Sequence, residues 1–431
     1  MAKPIAEGVD AASAGTAWYQ EVSRQGWRAL GVAGLGWTLE IYDIFVLSLT
    51  IPAFTVAFHL TNAGAGLIAS WTALGLIVGG VLSGFLADRI GRARTLAVSI
   101  VVYSVFSGLI ALAVSPTQVA ALRFVAGLGM GAEWTAGAAL VAETWPARHR
   151  GKGGALMQAG LPMGSLLAVG VTALVSALTV DHTLNHGAWR ILYALGALPL
   201  LFAVYVWFAA PESPLWRPGG DRSGRDQVGS VAAAVRGLLL DGNLRPLLAG
   251  LAFIFCIQYV YWAVFTFAPT FLITVRHLVF IKSLPFVLAQ QVGSLIGFLV
   301  FGALTDRWGR RPVFVAYLVL GGLDMVLFVL TDNLGLLLLS IALTGFSIAG
   351  IFAGAGPWAA ELMHRSRARG AGMGIIYNGG RIGGFVAPSV VGLLAVTASG
   401  FQVGLLTTLV AFVLAIAVVT AAGETRGAEL Q

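Results

Sequence analysis

The sequence has few charged residues and almost no cysteine. Asp, Glu, Lys and Arg make up 10% of its 431 residues, whereas 58% are hydrophobic. A soluble domain usually carries about 25% charged residues, so the composition excludes an ordinary soluble protein and predicts a membrane protein. The single cysteine, Cys256, excludes an internal disulfide, and nothing indicates an oxidising compartment.

Motifs for metal, phosphate and histidine chemistry are also missing. None of the six histidines lies in the middle of a long apolar run. The sequence has no Cys/His set with metal-ligand spacing and no glycine-rich phosphate-binding loop. We therefore expect no metal, no cofactor and no ATP-driven pump, and any proton relay would use carboxylates.

The net charge of +7 does not indicate a nucleic-acid partner. The basic residues are distributed among short loops between apolar runs, which is a signal of membrane topology.

Twelve apolar runs are long enough to cross a bilayer, which takes about 20 residues. We number them α1 to α12. They cover residues 27–56, 63–87, 95–114, 117–142, 152–178, 189–210, 244–274, 281–305, 312–331, 334–362, 369–396 and 400–422.

Lysine and arginine counts in the loops orient the chain. The loops after α2, α4, α6, α8 and α10 are rich in them, whereas the opposite loops hold only Arg190, Arg276 and Lys282. Because basic loops stay in the cytoplasm, both termini are expected there. The predicted organisation is a cytoplasmic tail (1–26, without the apolar core of a signal peptide), a six-helix half (27–210), a linker (211–243, helical near 231–240), a second six-helix half (244–422) and a tail (423–431).

One short turn occurs twice. The first copy follows α2 and the second follows α8, and equivalent residues are 218 positions apart. Glycine permits the tight turn, and the aspartate can pair with an arginine or lie against a helix N-terminus. The predicted members of this cytoplasmic gate are Gly84, Asp88, Arg89, Gly91, Arg92, Asp306, Arg307, Gly309 and Arg310. The alternative is an ordinary basic loop, but the repetition favours a duplicated unit.

The duplicated turn resembles the loop signature of the major facilitator superfamily. Arg123–Gly131 resembles the helix 4 motif of that family, and Pro211–Pro214 resembles the tail after helix 6 in several of its subfamilies. Glu361, Arg369-Gly370 and Tyr377–Arg381 resemble the start of helix 11 in its organic-acid porters. The resemblance implies an all-α membrane protein with two pseudo-symmetric six-helix halves that rock about a site near the midplane. It also implies a bacterial inner membrane, and one chain would suffice as a monomer.

Four charged residues lie within the predicted spans of the first half. Glu40 and Asp43 share a face of α1, and Arg123 and Glu133 lie on α4. A charge at the bilayer centre costs roughly 2.5–3.5 kcal/mol, so such residues usually have a partner or a function. Depth along the helices suggests an Arg123–Asp43 pair. All four are candidates for proton coupling, and the alternative is a fixed structural pair or local hydrogen bonds.

Arg381 of α11 is the candidate anchor for substrate, with Asn378 one turn earlier. A planar guanidinium at mid-depth suits a carboxylate, although pairing with a protein acid is the alternative. Gln258, Tyr259, Tyr261 and Trp262 of α7 could contact substrate or simply pack. Weaker candidates are Gln158, Gln290 and Gln291. For Asp324 the sequence offers no physical account beyond a buried pairing or a protonated state.

These features favour a transporter over an enzyme. The sequence-based hypothesis is a proton symporter that imports a small carboxylate, with monocarboxylates such as lactate first, then aromatic acids and sialic acid. Alternatives are a sugar or polyol porter of the same fold, a membrane enzyme acting on lipid-linked substrates, and a sensor that binds without transporting. The expected partners are the carboxylate, protons and the bilayer.

Overall fold

A computed structural model describes residues 17–60, 62–179, 184, 187–216, 243–276, 280–364, 366, 368–394 and 398–429. Most of the predicted N-terminal tail and linker, including the predicted helix near 231–240, lies outside these residues. The domain boundaries in those segments therefore stay predictions.

Every regular element of the described residues is helical. The first half contains α1 (Arg24–Ala57), α2 (Asn62–Ile90), α3 (Arg92–Ile110), α4 (Pro116–Thr144), α5 (Arg150–Gln158 and Gly160–Ala177) and α6 (Trp189–Leu195 and Pro199–Ala209). The second contains α7 (Leu244–Thr274), α8 (Phe280–Trp308), α9 (Arg310–Leu330), α10 (Leu334–Thr344, Gly345–Ala349 and Phe352–Leu362), α11 (Arg369–Gly374, Ile375–Gly379 and Ile382–Leu394) and α12 (Ala398–Leu406 and Thr408–Ala422). The predicted all-α architecture of twelve helices is confirmed.

Eleven of these helices are long and apolar enough to cross a membrane. The helix that is not among them is α11, which carries the polar stretch Tyr377–Arg381. A π-helical turn at Ile375–Gly379 divides it, and α5 is broken at Ala159. Interruptions of this kind often mark functional positions in membrane helices.

Glycine sets the two duplicated turns. Gly91 separates α2 from α3 with φ +106°, and Gly309 separates α8 from α9 with φ +101°. Side chains are strained in this left-handed region, whereas glycine is not. The tight turn inferred from the sequence is therefore present in both copies.

The two halves touch at the end of the bundle that carries these turns, which we call the motif end. Gly84 of α2 packs so closely on α11 that a Cβ there would lie 2.3 Å from the Gly370 oxygen. Gly302 of α8 packs on α5 in the same way, and a Cβ would lie 2.7 Å from the Gly151 oxygen. Small residues thus let α2–α11 and α8–α5 approach across the interface between the halves.

Candidate functional site

Asp88 joins the two halves at the motif end. Its carboxylate accepts hydrogen bonds from the backbone N–H groups of Gly370 and Ala371, at 3.2 and 3.0 Å, in the first turn of α11. It also pairs with Arg92 at 3.0 Å. Both roles expected for this aspartate, a partner for arginine and an acceptor at a helix N-terminus, are present together.

Asp306 makes the equivalent contact with the other half. It accepts from the backbone N–H groups of Gly151 and Lys152, at 2.8 and 2.9 Å, in the first turn of α5. Arg310 pairs with it at 2.9 Å, and the Lys152 ammonium lies 3.4 Å away. The Asp88 and Asp306 contacts therefore form one pseudo-symmetric set.

A buried glutamate lies behind each aspartate. Glu143 accepts from Arg92 at 3.1 Å and from Arg369 of the second half at 3.0 Å. Glu361 accepts from Arg310 at 2.9 Å, and the Thr425 hydroxyl donates to it at 2.7 Å. We call these groups the Asp88 cluster (Asp88, Arg92, Glu143, Arg369) and the Asp306 cluster (Asp306, Arg310, Glu361, Lys152).

The sequence analysis missed Glu143 as a member of this gate. Glu143 and Glu361 are 218 positions apart, like the paired aspartates, so the repeat itself carried the signal. Arg89 and Arg307, which were predicted members, have exposed side chains and join no ion pair among the residues that the structure describes. The gate roles of all these residues stay predictions.

Two further glutamates cap the helices after the turns. Glu212 accepts from the backbone N–H of Arg92 at 2.8 Å, and Glu424 accepts from that of Arg310 at 2.8 Å. An anionic acceptor at a helix N-terminus satisfies donors that otherwise have no partner. The Pro211–Pro214 segment, which follows α6, is thus held against the first turn of α3.

The Arg123–Asp43 pair expected from helix depth is present. Arg123 Nη1 lies 2.6 Å from Asp43 Oδ2, and both side chains are almost completely buried. Arg123 also donates to Thr72, and Ser107 donates to Asp43. The pair thus joins α1, α2, α3 and α4 within the first half.

Glu40 and Glu133 are buried acids of a different kind. Both are fully buried, and none of their carboxylate oxygens has a hydrogen-bond partner among the described residues. Glu133 packs on α1, where a Cβ at Gly36 would lie 2.1 Å from its oxygen. Glu40 lies close enough to Arg381 for an electrostatic attraction between the carboxylate and the guanidinium. An unpartnered buried carboxylate is costly when ionised, so these two groups are chemically suited to bind and release a proton.

Arg381 lies roughly 18 Å along α11 from Arg369, close to mid-depth in a bilayer core of about 30 Å. Its guanidinium lies 5.1 Å from the centre of the Tyr377 ring. Its Nη1 is buried without a hydrogen-bond partner among the described residues. Asn378 is fully buried and donates to Thr135 of the first half at 3.0 Å. The structure therefore brings Arg381, Asn378 and Glu40 towards one region between the halves.

Trp134 is part of this region, although the sequence analysis did not select it. Its indole ring stacks on Tyr377 with 3.2 Å between ring centres and 10° between planes. Its Nε1–H donates to Gln158 at 2.9 Å. An aromatic contact between residues 243 positions apart leaves no local pattern, so a single sequence could not have shown it.

The four α7 candidates have different surroundings. Tyr261 is buried and packs on Phe265 and Phe352. Gln258 accepts from Trp262 at 3.0 Å, and Trp262 lies against Gly384 of α11. The Tyr259 hydroxyl lies 2.7 Å from the Thr407 hydroxyl of α12, so it reaches away from α11.

Two other polar residues named in the sequence analysis have packing contacts. Gln291 donates to Ser165 of α5 at 2.5 Å, near the middle of both helices. Asp324 accepts from Ser340 at 2.6 Å, which places this acid between α9 and α10, away from Arg381. The hydrogen bonds between the halves described above all lie between the motif end and mid-depth.

Comparison with known proteins agrees with this architecture. The family model of the Major Facilitator Superfamily matches residues 32–290 and 283–429. A protein of Cupriavidus pinatubonensis named "Probable 4-methylmuconolactone transporter" is 32% identical over 379 residues, covering 88% of this chain and 85% of that protein. The "Cis,cis-muconate transport protein" of Acinetobacter baylyi is 28% identical over 369 residues, covering 84% and 85%.

A solved structure has the same fold. The "proton:xylose symporter XylE bound to 6-bromo-6-deoxy-D-glucose" superposes with a TM-score of 0.79 and 21% identity, covering 94% of this chain and 97% of that one. At this identity the likeness concerns the fold alone. The matching family model and the 32% identical relative identify the chain as a member of the major facilitator superfamily, and the solved structure agrees in fold. The chain is a multi-pass membrane transporter and not an enzyme.

Proposed function

We propose that this transporter imports a small organic acid together with protons, by alternating access of a site between its two halves. The observation that carries the proposal is Arg381, a cation at mid-depth with a buried N–H that lacks a partner. A guanidinium in such a place suits a carboxylate, which it can hold through two parallel hydrogen bonds. The names of the two relatives, a muconate and a muconolactone transporter, support an organic-acid cargo.

The lining favours a flat cargo among small acids. Lactate, the first substrate expected from the sequence, would be held by Arg381 alone, because the Asn378 amide nitrogen already donates to Thr135 and to the Gly374 oxygen. Tyr377 lies beside the guanidinium, and Tyr261 lies on α7, which packs against the π-helical turn that carries Tyr377. Aromatic faces stack well on planar conjugated groups. One face of Tyr377 is covered by Trp134, so stacking on the cargo would follow the opening of that contact. The names of the two relatives also make unsaturated or aromatic carboxylates the stronger candidates, with Gln258 and Trp262 at the edge of the site.

Proton coupling rests on the buried acids of the first half. Asp43 is held by Arg123, whereas Glu40 and Glu133 have no partner among the described residues. When Arg381 binds a substrate anion, its charge is shared and Glu40 is favoured in its neutral form. Substrate and proton would then cross together, and uptake would be faster with acid outside.

Alternating access would use the contacts at the motif end. The Asp88 and Asp306 clusters hold the halves together there, and we infer that this end faces the cytoplasm because its loops are basic. The described state is then closed towards the cytoplasm. One chain contains both halves of the site, so a monomer in a bacterial inner membrane would be sufficient.

Replacing Arg381 tests the carboxylate site. In liposomes containing the purified protein, we would measure uptake of radiolabelled cis,cis-muconate, benzoate and lactate, and of xylose and glucose for comparison. Arg381→Lys keeps the charge but loses the paired hydrogen bonds, so the apparent KM of the transported acid should rise about tenfold or more. Arg276→Lys is the matched control, because Arg276 pairs with Asp332 in an outer loop and should not change uptake.

Two results would contradict this role. Unchanged uptake by Arg381→Lys would remove the arginine from the substrate site. Transport of xylose or glucose in place of all three acids would favour the sugar-porter alternative, in which Arg381 is structural.

A further inference from the structure

Two closed layers lie between the central site and the solvent at the motif end. The first consists of the Asp88 and Asp306 clusters. The second, which we call the aromatic layer, consists of Trp134 and Thr135 of α4 with Tyr377 and Asn378 of α11. Trp134 stacks on Tyr377, and Asn378 donates to Thr135 at 3.0 Å, so consecutive residues of one half meet consecutive residues of the other.

A small cavity lies between the two layers. Its walls come from both halves and include Ala138, Val141, Met157, Ala353 and Pro357. On α4, Ala138 and Val141 are one and two turns nearer the motif end than Trp134. The aromatic layer is therefore a closure distinct from the ion-pair clusters.

Gln158 holds one side of the aromatic layer. Its side-chain oxygen accepts from Trp134 Nε1 at 2.9 Å. Its amide nitrogen is buried without a hydrogen-bond partner among the described residues, and the side chain lines the cavity. Gln158 is also the last residue before the break in α5.

The same short helix carries a cluster contact at its other end. Arg150–Gln158 begins with Gly151 and Lys152, whose N–H groups bind Asp306. Gly151 and Gln158 are roughly 10 Å apart along the helix. One rigid segment therefore joins the Asp306 contact to the side chain that orients Trp134.

The second half repeats this arrangement. In α11, Gly370 binds Asp88, and the π-helical turn that follows carries Tyr377. Gly151 and Gly370 are 219 positions apart, and so are Gln158 and Tyr377. Each half thus contributes a segment with a cluster contact at one end and an aromatic-layer residue at the other.

We propose that Gln158 is a positioning residue that keeps Trp134 stacked on Tyr377, so that movement of the Arg150–Gln158 helix opens the aromatic layer when the Asp306 contact breaks. The inference rests on the alternating access proposed above. Because the cavity lies between the two layers, loss of the Gln158 contact opens it towards the central site while the ion-pair clusters stay closed.

The test uses a cysteine placed in the cavity. Cys256→Ser removes the sole native thiol, and Ala138→Cys adds one between the layers. A membrane-impermeant maleimide is applied to right-side-out and inside-out vesicles, so that labelling through each face is measured separately. Gln158→Leu should speed labelling through the face opposite the motif end about fivefold, the effect of one lost hydrogen bond, and leave labelling through the motif face unchanged.

Three further variants separate positioning from general loosening. Gln158→Glu keeps an acceptor for the indole N–H and should restore slow labelling. Trp134→Phe removes the donor and should match Gln158→Leu, with no further increase in the double variant. Gln290→Leu, another buried glutamine with an unpartnered amide nitrogen, is the control and should have no effect.

The proposal is overturned if Gln158→Leu leaves labelling unchanged or speeds it equally through both faces. It is also overturned if the effects of Gln158→Leu and Trp134→Phe add. Labelling needs no substrate, so an incorrect cargo would leave this result intact. A protein that labels as expected but transports none of the tested compounds would overturn the proposed function alone.

Discussion

The two clusters at the motif end share their backbone contacts but differ in where charge crosses between the halves. In the Asp88 cluster, the crossing ion pair lies behind the aspartate, where Arg369 of the second half binds Glu143 of the first. In the Asp306 cluster it lies on the aspartate itself, where Lys152 of the first half approaches Asp306 of the second. Glu361, the counterpart of Glu143, pairs with Arg310 of its own half.

The hydrogen bonds that Arg150 makes explain the difference. Arg150 precedes Gly151 as Arg369 precedes Gly370, so it could pair with Glu361. Instead it donates to the backbone oxygens of Ala142 and Ala428. The duplicated backbone has thus kept its contacts while the side chains have diverged, and the Asp88 cluster has the more deeply buried crossing pair.

The largest effect is expected from Glu143→Gln. This change breaks two buried ion pairs, one of them between the halves, and removing one partner of a buried pair typically costs about 3–5 kcal/mol. Glu361→Gln also removes one partner of a buried pair. It should lower the thermal unfolding temperature in detergent about as much as Glu143→Gln does, but it should leave the crossing contacts in place. Labelling of a cysteine at Ala138 through the motif face should therefore rise only in Glu143→Gln. Equal increases in both variants would show that the two clusters close the motif end alike.

A smaller and nearly symmetric effect is expected from the helix caps. Glu212→Ala and Glu424→Ala each remove an acceptor at a helix N-terminus, and such losses cost about 1 kcal/mol. Glu212 is partly buried and Glu424 is exposed, so the stability loss should be larger at Glu212. The unfolding temperature in detergent measures both. A larger loss at Glu424 would contradict the assignment of these residues as equivalent caps.

The smallest effect is expected from Lys152→Met. The Lys152–Asp306 contact is 3.4 Å long, and the lysine side chain is 21% exposed, so the pair contributes about 0.5 kcal/mol. Labelling through the motif face should rise about twofold at most. Arg307→Met, which removes an exposed basic residue of the same turn, should have no effect. A loss as large as that of Glu143→Gln would place the stronger crossing pair in the Asp306 cluster.

Much of the fold could be predicted from the sequence because its signals are local or periodic. The twelve apolar runs predicted the helices, and the 218-residue offset between the two turns predicted that the halves are duplicated. The Arg123–Asp43 pair followed from depth alone, since a buried arginine in a membrane helix needs an acid at the same level.

The contacts between the halves could not be predicted in the same way. Asp88 binds backbone N–H groups of α11, and backbone donors carry no sequence signature. The Trp134–Tyr377 stack and the Gln158 contact depend on how two distant helices meet. Asp324 pairs with Ser340, which accounts for its burial between α9 and α10 but could not be inferred from an isolated acid in an apolar run.

Proton movement with substrate tests the central claim most directly. Liposomes containing the protein and an internal pH dye would receive cis,cis-muconate, benzoate, lactate, sialic acid, glucose or xylose. Empty liposomes correct for leakage of free acid, and Glu40→Gln shows whether the unpartnered buried acid near Arg381 is required. We expect saturable internal acidification with at least one carboxylate, lost in Glu40→Gln. Acid uptake without acidification, or acidification only with a sugar, would contradict proton-coupled organic-acid transport.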